Sequence, residues 1–260
     1  MSSVAAKRII KGVLRRAGFD VVRYRPEADL QRHPGLEDLT PSEVRIVESV
    51  KPYTLTSEER IAALLNAVRY ITEHKIPGNI AECGVWRGGS MMVVARALML
   101  YGDCDRHLYL YDTFEGMSAP TQRDKSLDGE SAESLLNRDP EGTGIWCHAL
   151  LEDVRANLLS TGYPEDKIHF IKGKVEETLP ATLPDRLALL RLDTDWYEST
   201  KHELIHLFPL LNPRGVLIID DYGHWQGARQ ATDEYFSERK LNLYLHRVDY
   251  TCRIAVRTDG

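Results

Sequence analysis

The sequence predicts an α/β fold, a doubly wound and mostly parallel seven-stranded sheet, and two observations support this class. Residues 79–90 read N-I-A-E-C-G-V-W-R-G-G-S, so a short apolar strand reaches Glu82 and a glycine turn before the apolar helical run at 91–100. Further along the chain, short apolar runs alternate with segments of helical periodicity. In such a fold the turn after the first strand forms a nucleotide pocket, where glycines let a ligand approach the backbone. Gly84 is followed by Gly88, a spacing that disfavours the G-x-G-x-x-G turn of a nicotinamide-dinucleotide site.

The residues before this motif are predicted to divide into an extension, residues 1–50, and the main domain, residues 51–260. Basic and apolar residues alternate over residues 1–24 in an amphipathic helical pattern that ends in a short strand-like piece. We expect this helix to pack on the domain or on a partner subunit, and a membrane-surface helix is the alternative. Residues 25–52 are polar and contain proline, which predicts an irregular connection.

The first helix of the main domain is predicted to start at Thr56. Glu59 lies three residues further on, where it can complete a capping box with that threonine. Apolar residues then recur at helical spacing over residues 61–71, and we expect them to pack on the sheet. Tyr53, just upstream, is predicted either to pack its ring in the core or to line a pocket with its hydroxyl group.

The second strand is predicted over residues 108–114 and carries Asp112 near its end. Asp112 lies 30 residues beyond Glu82 (112 − 82), a separation that fits one βαβ unit. A carboxylate at this place can accept hydrogen bonds from both ribose hydroxyls of an adenosyl cofactor. The polar residues 115–146, called the lid segment below, are predicted to close over the site on ligand binding, with a short helix near residues 132–137.

The remaining elements follow from alternating apolar runs and helical patterns. A helix is predicted over residues 151–161, and Asn212-Pro213-Arg214-Gly215 is predicted to be a turn. Parallel strands are predicted at 168–171, 187–192 and 216–219, helices near 197–211 and 226–240, and an antiparallel pair at 243–248 and 252–257.

Three aspartates are predicted to meet at the carboxyl edge of the sheet. Asp193 follows the fourth strand, and Asp220 and Asp221 follow the fifth. Three carboxylates in one crevice repel each other, and Mg²⁺ relieves the conflict because it prefers oxygen ligands. The alternative is structural, because acids at strand ends also cap helices, and Asp195 in particular is placed to cap a helix that starts near Tyr197.

Five ordered motifs within residues 50 to 240 resemble the macrocin O-methyltransferase family. They are V-K-P-Y-T-L-T-S-E-E-R, A-E-C-G-V-W-R-G-G-S, Y-D-T-F-E-G-M, L-R-L-D-T-D-W-Y-E-S-T and G-V-L-I-I-D-D-Y-G. The resemblance implies a Rossmann-like class I methyltransferase fold, S-adenosylmethionine as donor and Mg²⁺ held by Asp193, Asp220 and Asp221. It also implies a general base at Asp193. Catechol-type methyltransferases carry a lysine where this chain has Trp196, which disfavours a catechol acceptor.

The resemblance and the predicted rim together give a set of site residues. The cofactor is assigned to Glu82, Gly84, Ser90, Asp112, Phe114 and Gly173, and the metal to Asp193, Asp220 and Asp221. Catalysis is assigned to Asp193 and His148, and the substrate to Tyr53, Trp196, Tyr197 and His224. Both histidines are chosen because an imidazole near its usual pKa can act as a base at neutral pH.

Composition narrows the class of protein. The 260 residues carry a formal charge of −6, which argues against a nucleic-acid partner. The four cysteines form no C-x-x-C pair, as expected of free thiols in a reducing compartment. The sequence has no run long and apolar enough to span a membrane and no secretory signal. We therefore expect a cytoplasmic enzyme, and we expect it to form a homo-oligomer.

These inferences predict an S-adenosylmethionine- and Mg²⁺-dependent O-methyltransferase that acts on a hydroxyl group of a sugar or glycoside. The acceptor is expected to be an antibiotic deoxysugar or a precursor of a methylated oligosaccharide or polysaccharide. Two alternatives stay open. One is an O-methyltransferase of a phenolic or other non-sugar natural product, and the other is a non-catalytic cofactor-binding subunit.

Overall fold

The computed structural model describes residues 36–138 and 146–258. Residues from Asp38 onwards belong to one compact unit. The helix and strand-like piece predicted within residues 1–24 lie outside the described residues, and the predicted boundary at residue 50 stays a prediction. None of the described helices combines the length and apolarity that crossing a membrane requires.

The helices and strands follow the predicted alternation. The helices are α1 (Pro41–Val50), α2 (Glu58–Glu73), α3 (Gly89–Tyr101), α4 (Ala132–Arg138), α5 (Leu151–Leu159), α6 (Val175–Thr178), α7 (Tyr197–His206) and α8 (Gln226–Glu238). The strands are β1 (Asn79–Cys83), β2 (Leu108–Asp112), β3 (Ile168–Lys172), β4 (Leu187–Leu192), β5 (Leu211–Ile219), β6 (His246–Arg247) and β7 (Arg253–Val256). Short 3₁₀ helices lie at Lys51–Tyr53, Glu165–Lys167 and Phe208–Leu210.

The seven strands form one sheet in the order β3-β2-β1-β4-β5-β7-β6. The first five are parallel, and β7 runs antiparallel to both β5 and β6. The strand order reverses between β1 and β4, which opens a crevice at the carboxyl ends of these two strands. Cys83 and Leu192 are paired across them, so the residues that follow both strands meet at the mouth of this crevice. The predicted fold class is confirmed.

Burial explains why these runs form the centre of the sheet. All six residues of β4 are buried, as in a strand covered by helices on both faces. In α2 the apolar residues at helical spacing, Ile61, Leu64, Leu65, Val68 and Ile71, are buried as predicted.

Four predicted boundaries were wrong. Residues 41–50 form α1, where the sequence analysis expected an irregular connection, and Thr40 and Glu43 complete its capping box. The cap of α2 is Ser57 rather than Thr56, because the Ser57 side chain accepts the Arg60 backbone N–H. The strand β5 starts at Leu211, so it includes the predicted turn, and α7 ends at His206 rather than near residue 211.

Candidate functional site

Two cavities adjoin at the crevice. One, the strand-3 cavity, has a volume of about 450 Å³ and is lined by residues after β2 and β3, among them Thr113, Gly173 and Lys174. The other, the acid cavity, has a volume of about 840 Å³ and is lined by Asp193, Asp195, Asp220 and Asp221 together with Tyr53, Ser90 and Arg60. Both cavities share the wall formed by Gly84, Asp112, Gly116, Met117 and Asp193. The predicted glycine turn and the predicted acids therefore lie on one continuous space.

Asp112 holds the glycine turn in place from the end of β2. Its Oδ2 accepts the backbone N–H groups of Val85 at 2.6 Å and Trp86 at 3.1 Å. Its Oδ1 accepts the backbone N–H of Phe114 at 2.6 Å. Burial raises the pKa of Asp112, and these hydrogen bonds oppose the rise because they favour the carboxylate. Its predicted contact with ribose hydroxyls stays a prediction.

Gly84 is required where β1 turns into this space. Its φ is +79°, and a Cβ there would lie 2.0 Å from the carbonyl oxygen of Asp193. Only glycine therefore allows the turn to approach the strand end that carries Asp193. This close approach brings the glycine turn and the acids together.

Arg191 is a buried cation that sequence reasoning missed. Its Nη1 donates to Glu82 Oε1 at 2.5 Å and to Asp193 Oδ2 at 2.7 Å, and its Nη2 lies 3.0 Å from Asp220 Oδ1. The signal was present in the sequence, because Arg191 is the one charged residue in the apolar run L-A-L-L-R-L.

Glu82 lies behind the cavities rather than in their walls. Among the described residues that line either cavity, Glu82 does not appear. Burial raises its pKa to about 8, against the opposing attraction of Arg191. Glu82 therefore contacts Arg191, which also pairs with Asp193 and Asp220.

Two arginines bind Asp220. Arg60 pairs with its Oδ2, and Arg191 lies beside its Oδ1. Arg60 also lies 3.1 Å from Asp249 Oδ2, on the turn between β6 and β7. Asp220 is thus the aspartate of the cluster whose charge is most fully compensated by the protein itself.

Three other carboxylates face one another. Ligand oxygens of Asp193, Asp195 and Asp221 all lie within 4.8 Å of each other. Burial is the largest cause of a raised pKa in all three, and the pKa of Asp195 rises to about 7. Repulsion between the carboxylates contributes further to each increase.

These carboxylates fit a hard cation. Asp221 Oδ2 is buried and has no hydrogen-bond partner among the described residues. Clustered carboxylate oxygens are the type of ligand that Mg²⁺ prefers. The predicted ligand set of Asp193, Asp220 and Asp221 stays a prediction. The geometry adds Asp195 to the candidates.

Asp195 does not cap α7, although the sequence allowed this. The capping contact comes from Asp124 in the lid segment, whose Oδ1 accepts the Tyr197 backbone N–H at 2.7 Å. Asp195 instead adopts a left-handed φ of +68°, an uncommon conformation for a residue other than glycine, and lines the acid cavity.

The lid segment is predicted correctly in one respect, because its short helix is present as α4. Its residues Gly116, Met117 and Ser118 line the cavities, and Cys147 follows it in the wall of the acid cavity. Ordering on ligand binding stays a prediction.

The predicted site residues fall into two groups. Gly84, Ser90, Asp112, Gly173 and Tyr53 line the cavities, as do the predicted aspartates. Glu82, Phe114, His148, Trp196, Tyr197 and His224 are absent from the cavity walls formed by the described residues.

The members of the second group have other neighbours. Trp196 is 2% exposed and donates from Nε1 to the Ser118 carbonyl at 3.0 Å. The Tyr197 hydroxyl donates to Glu234 at 2.6 Å, and His148 is exposed. His224 packs edge-on against Trp225, with the ring centroids 4.8 Å apart. Trp196 and Tyr197 therefore support the wall from behind in this structure. Contact of these residues with the substrate stays a prediction.

Comparison with known proteins places these features in context. The model of the family described as Macrocin-O-methyltransferase (TylF) matches residues 31–257. The chain is 34% identical over 199 residues to 8-demethyl-8-(2,3-dimethoxy-alpha-L-rhamnosyl)-tetracenomycin-C 4'-O-methyltransferase from Streptomyces olivaceus, covering 76% of this chain and 73% of that protein. It is 32% identical to mycinamicin III 3''-O-methyltransferase from Micromonospora griseorubida, covering 76% and 75%. The solved O-methyltransferase NovP superposes with a TM-score of 0.68 and 28% identity, over 80% of this chain and 83% of that one.

Proposed function

Because this chain belongs to the macrocin O-methyltransferase family and is an S-adenosylmethionine-dependent O-methyltransferase, we propose that it methylates a hydroxyl group of a sugar or glycoside with the help of Mg²⁺. One relative is named for a rhamnosyl-bearing compound, which supports a sugar acceptor. The observation that carries the proposal is the cluster of Asp193, Asp195 and Asp221 in the wall of the acid cavity, beside the glycine turn.

The donor is proposed to lie along the shared wall of the two cavities. Gly84 and Asp112 line both spaces, Gly173 lies on the strand-3 side and Ser90 on the acid side. The backbone N–H groups at the start of α3 favour a negatively charged group there, such as the carboxylate of the methionine moiety. The sulfonium group would then lie near Asp193, and the aspartates lower the free energy of a positive charge beside them.

The metal is proposed to be held by Asp193 and Asp221, with Asp220 or Asp195 as the third carboxylate. When bound, Mg²⁺ would neutralise these carboxylates and make an acceptor hydroxyl easier to deprotonate. Arg191 already orients Asp193 through its Oδ2. The positive charge of Arg191 therefore positions one of the proposed metal ligands, Asp193.

A carboxylate in the acid cavity is proposed to take the acceptor proton. Burial raises the pKa of Asp193, the predicted base, and the hydrogen bond from Arg191 opposes this rise. Asp195 lies in the same wall, two residues further along the chain, and its pKa rises to about 7. A base with a pKa near the working pH is the most effective, so we propose Asp195 as the alternative to Asp193 for this step where Asp220 is the third metal ligand. His148 is the weaker candidate because its side chain is exposed.

Replacement of Asp221 tests this function. We expect Asp221→Asn to lower turnover of a glycoside acceptor by on the order of a hundredfold or more, because a metal ligand loses its charge. Binding of S-adenosylhomocysteine, measured by calorimetry, should persist, because Asp221 lines the acid cavity and is not part of the shared wall proposed for the donor. Asp153→Asn, on the exposed first turn of α5, is the matched control and should behave like the unmodified enzyme.

The acceptor class is tested separately. Sugar, glycoside and catechol acceptors are incubated with labelled donor, with and without Mg²⁺, and the product is detected by the mass of one added methyl group. Turnover of glycosides that stops after chelation supports the proposal. Full activity in chelator-treated enzyme contradicts the metal, and turnover of catechols alone contradicts the sugar acceptor.

A further inference from the structure

The lid segment contains a buried carboxylate to which the proposed reaction assigns no role. Asp124 has 0% exposure. Its Oδ2 accepts the backbone N–H of Thr121 at 2.6 Å and the hydroxyl of the same residue at 2.8 Å. Its Oδ1 accepts the Tyr197 backbone N–H at 2.7 Å, from a residue 73 positions further along the chain. Its charge is therefore satisfied by two different parts of the protein.

The contact with Tyr197 fixes the start of α7. Trp196, the residue at the N-cap position, makes no capping hydrogen bond with its own side chain. The first N–H groups of a helix lack partners within the helix and carry partial positive charge, so a carboxylate binds them well. Asp124 supplies this cap from outside the helix. Tyr197 lies only two residues after Asp195, so the cap also restrains the turn of residues 193–195.

The start of α8 leaves room for the same carboxylate. A Cβ on Gly227 would lie 2.1 Å from Asp124 Oδ1 and 3.0 Å from the Tyr197 backbone nitrogen. Glycine at this position is thus a steric condition for the contact between Asp124 and α7.

The lid segment reaches the cavity walls a few residues before Asp124. Met117 lines both cavities and Ser118 lines the strand-3 cavity. The Ser118 carbonyl accepts the indole N–H of Trp196 at 3.0 Å. Further on, Ser126 pairs with Trp225 in a β-bridge. The described part of the segment is therefore attached to α7 and α8 at several points.

A small apolar core lies under these attachments. Ala132, Leu136, Trp196, Trp225 and Ala228 pack together, and Met117 packs against them. The Trp196 and Trp225 rings meet edge-on, with centroids 4.9 Å apart. The core therefore contains Trp196, the residue before α7, and contacts the cavity-lining residue Met117.

We propose that Asp124 is a positioning residue for methyl transfer, and that it holds the acid turn at residues 193–195 and the Met117 wall in one fixed arrangement. Among the described residues that line the cavities Asp124 is absent, so it acts through Tyr197 and Thr121. Transfer needs the acceptor oxygen aligned with the donor methyl, and small displacements of the supporting groups are costly. Only the kinetic test of this inference rests on the proposed function, because it requires turnover of a glycoside acceptor.

The kinetic test compares Asp124→Ala and Asp124→Asn with Glu133→Gln, an exposed residue of the same segment. We expect Asp124→Ala to lower kcat/KM for the acceptor by on the order of tenfold to a hundredfold, because a buried charge-assisted hydrogen bond is lost. Asn should recover part of this loss, since its carbonyl can accept from Tyr197 but its amide cannot accept from Thr121. The loss of kcat/KM should exceed any loss of affinity for S-adenosylhomocysteine, because methyl transfer depends on alignment more steeply than binding does.

A double-mutant cycle separates positioning from general damage. Gly227→Ala should displace the Asp124 carboxylate and lower kcat/KM in the unmodified background. In the Asp124→Ala background the same change should have a smaller effect, because the 2.1 Å contact with the carboxylate is gone and the 3.0 Å contact with the Tyr197 backbone nitrogen remains. Additive losses would overturn the proposal.

Hydrogen exchange supplies a readout that does not depend on the acceptor. In Asp124→Asn we expect faster amide exchange in residues 113–126 and 193–199, with β1 and β4 as protected as before. Faster exchange throughout the sheet, or unchanged exchange and kinetics in both variants, would overturn the inference. If no glycoside is turned over by the unmodified protein, the proposed function fails while the exchange result still decides the role of Asp124.

Discussion

At the residue scale, the Arg191 side chain compensates the charge of some acids in the cluster and not of others. It pairs with Glu82, Asp193 and Asp220, whereas Asp195 and Asp221 lie close together in the wall of the acid cavity without an arginine partner among the ion pairs of the described residues. Removing one partner from a buried ion pair leaves an uncompensated charge, so these pairings are strongly constrained. The acids that Arg191 leaves uncompensated are the ones that have most to gain from a cation.

Glu203 is a second buried carboxyl group near the site, and it lends itself to a test of stability. It has 0% exposure on α7, and its Oε1 accepts the hydroxyl of Thr194 at 2.9 Å. Burial raises its pKa well above the ordinary 4.5. The folded protein therefore keeps this proton to a higher pH than the unfolded chain does, so stability falls as the pH rises above 4.5.

We predict that Glu203→Gln removes this fall in stability at higher pH. Glutamine keeps the oxygen that accepts the Thr194 hydroxyl, and it does not titrate. The free energy of unfolding of the variant, relative to the unmodified protein, should rise between about pH 5 and about pH 8 by at most about 1.4 kcal/mol per pH unit. Urea titrations at both values measure it, with the exposed Glu177→Gln as control. A relative stability of the variant that falls with pH would contradict a raised pKa of Glu203 in the folded protein.

At the scale of elements, the structure identifies the residue that caps the N-terminus of α2. Ser57, rather than Thr56, accepts the Arg60 backbone N–H, and its hydroxyl also donates to Asp249 Oδ2 at 3.1 Å. This serine supports both a helix and the ion pair beside Asp220.

We predict that Ser57→Ala lowers the free energy of unfolding by about 0.5–2 kcal/mol, the usual cost of a lost N-cap. Ser237→Ala, at an exposed position inside α8, should cost nothing measurable, because alanine favours helix there. Urea unfolding monitored by circular dichroism compares the two variants. Equal stabilities would show that Ser57 is not the cap.

Helices and strands could be predicted from the sequence where a local pattern of residues determines them. The run L-A-L-L-R-L is continuously buried in β4, and its apolar character alone indicated a central strand. Helix α1 was missed because its residues are mostly polar, although Thr40 and Glu43 carry a visible capping-box signature. The start of β5 at Leu211 was missed because Pro213 and Gly215 indicate a turn when read locally.

The part of the candidate site that follows from the sheet topology could be predicted from the sequence. Asp193, Asp220 and Asp221 follow parallel strands, so their common edge could be read from the chain. The contact of Asp124 with Tyr197 spans 73 residues, and that of Arg60 with Asp220 spans 160. Such contacts depend on how separate segments pack together, for which the sequence carries no local signal.

At the scale of the whole molecule, we predict that Mg²⁺ bound in the acid cavity stabilises the folded protein. An ion that binds the folded chain and not the unfolded chain raises its stability, by about 2.7 kcal/mol at a hundred times Kd. Because ligands must lose protons to bind, the gain in Tm on adding MgCl₂ should be larger well above the Asp195 pKa of about 7 than below it.

Thermal unfolding at about pH 6 and about pH 8.5 checks this, with KCl of equal ionic strength as control. Asp221→Asn should show little gain at either pH. A gain in Tm that is independent of pH, or equal in KCl, would contradict binding at these carboxylates.

The turn between β6 and β7 has a consequence for how the protein becomes active as it is made. Asp249 on that turn bonds Ser57, 192 residues earlier, and Thr251 donates to the Asp220 carbonyl at 2.7 Å. A nascent chain still inside the ribosomal tunnel at residue 249 lacks these contacts, even with β1 to β5 already translated. The contacts around Asp220 are therefore completed only after residues 249–251 have left the ribosome.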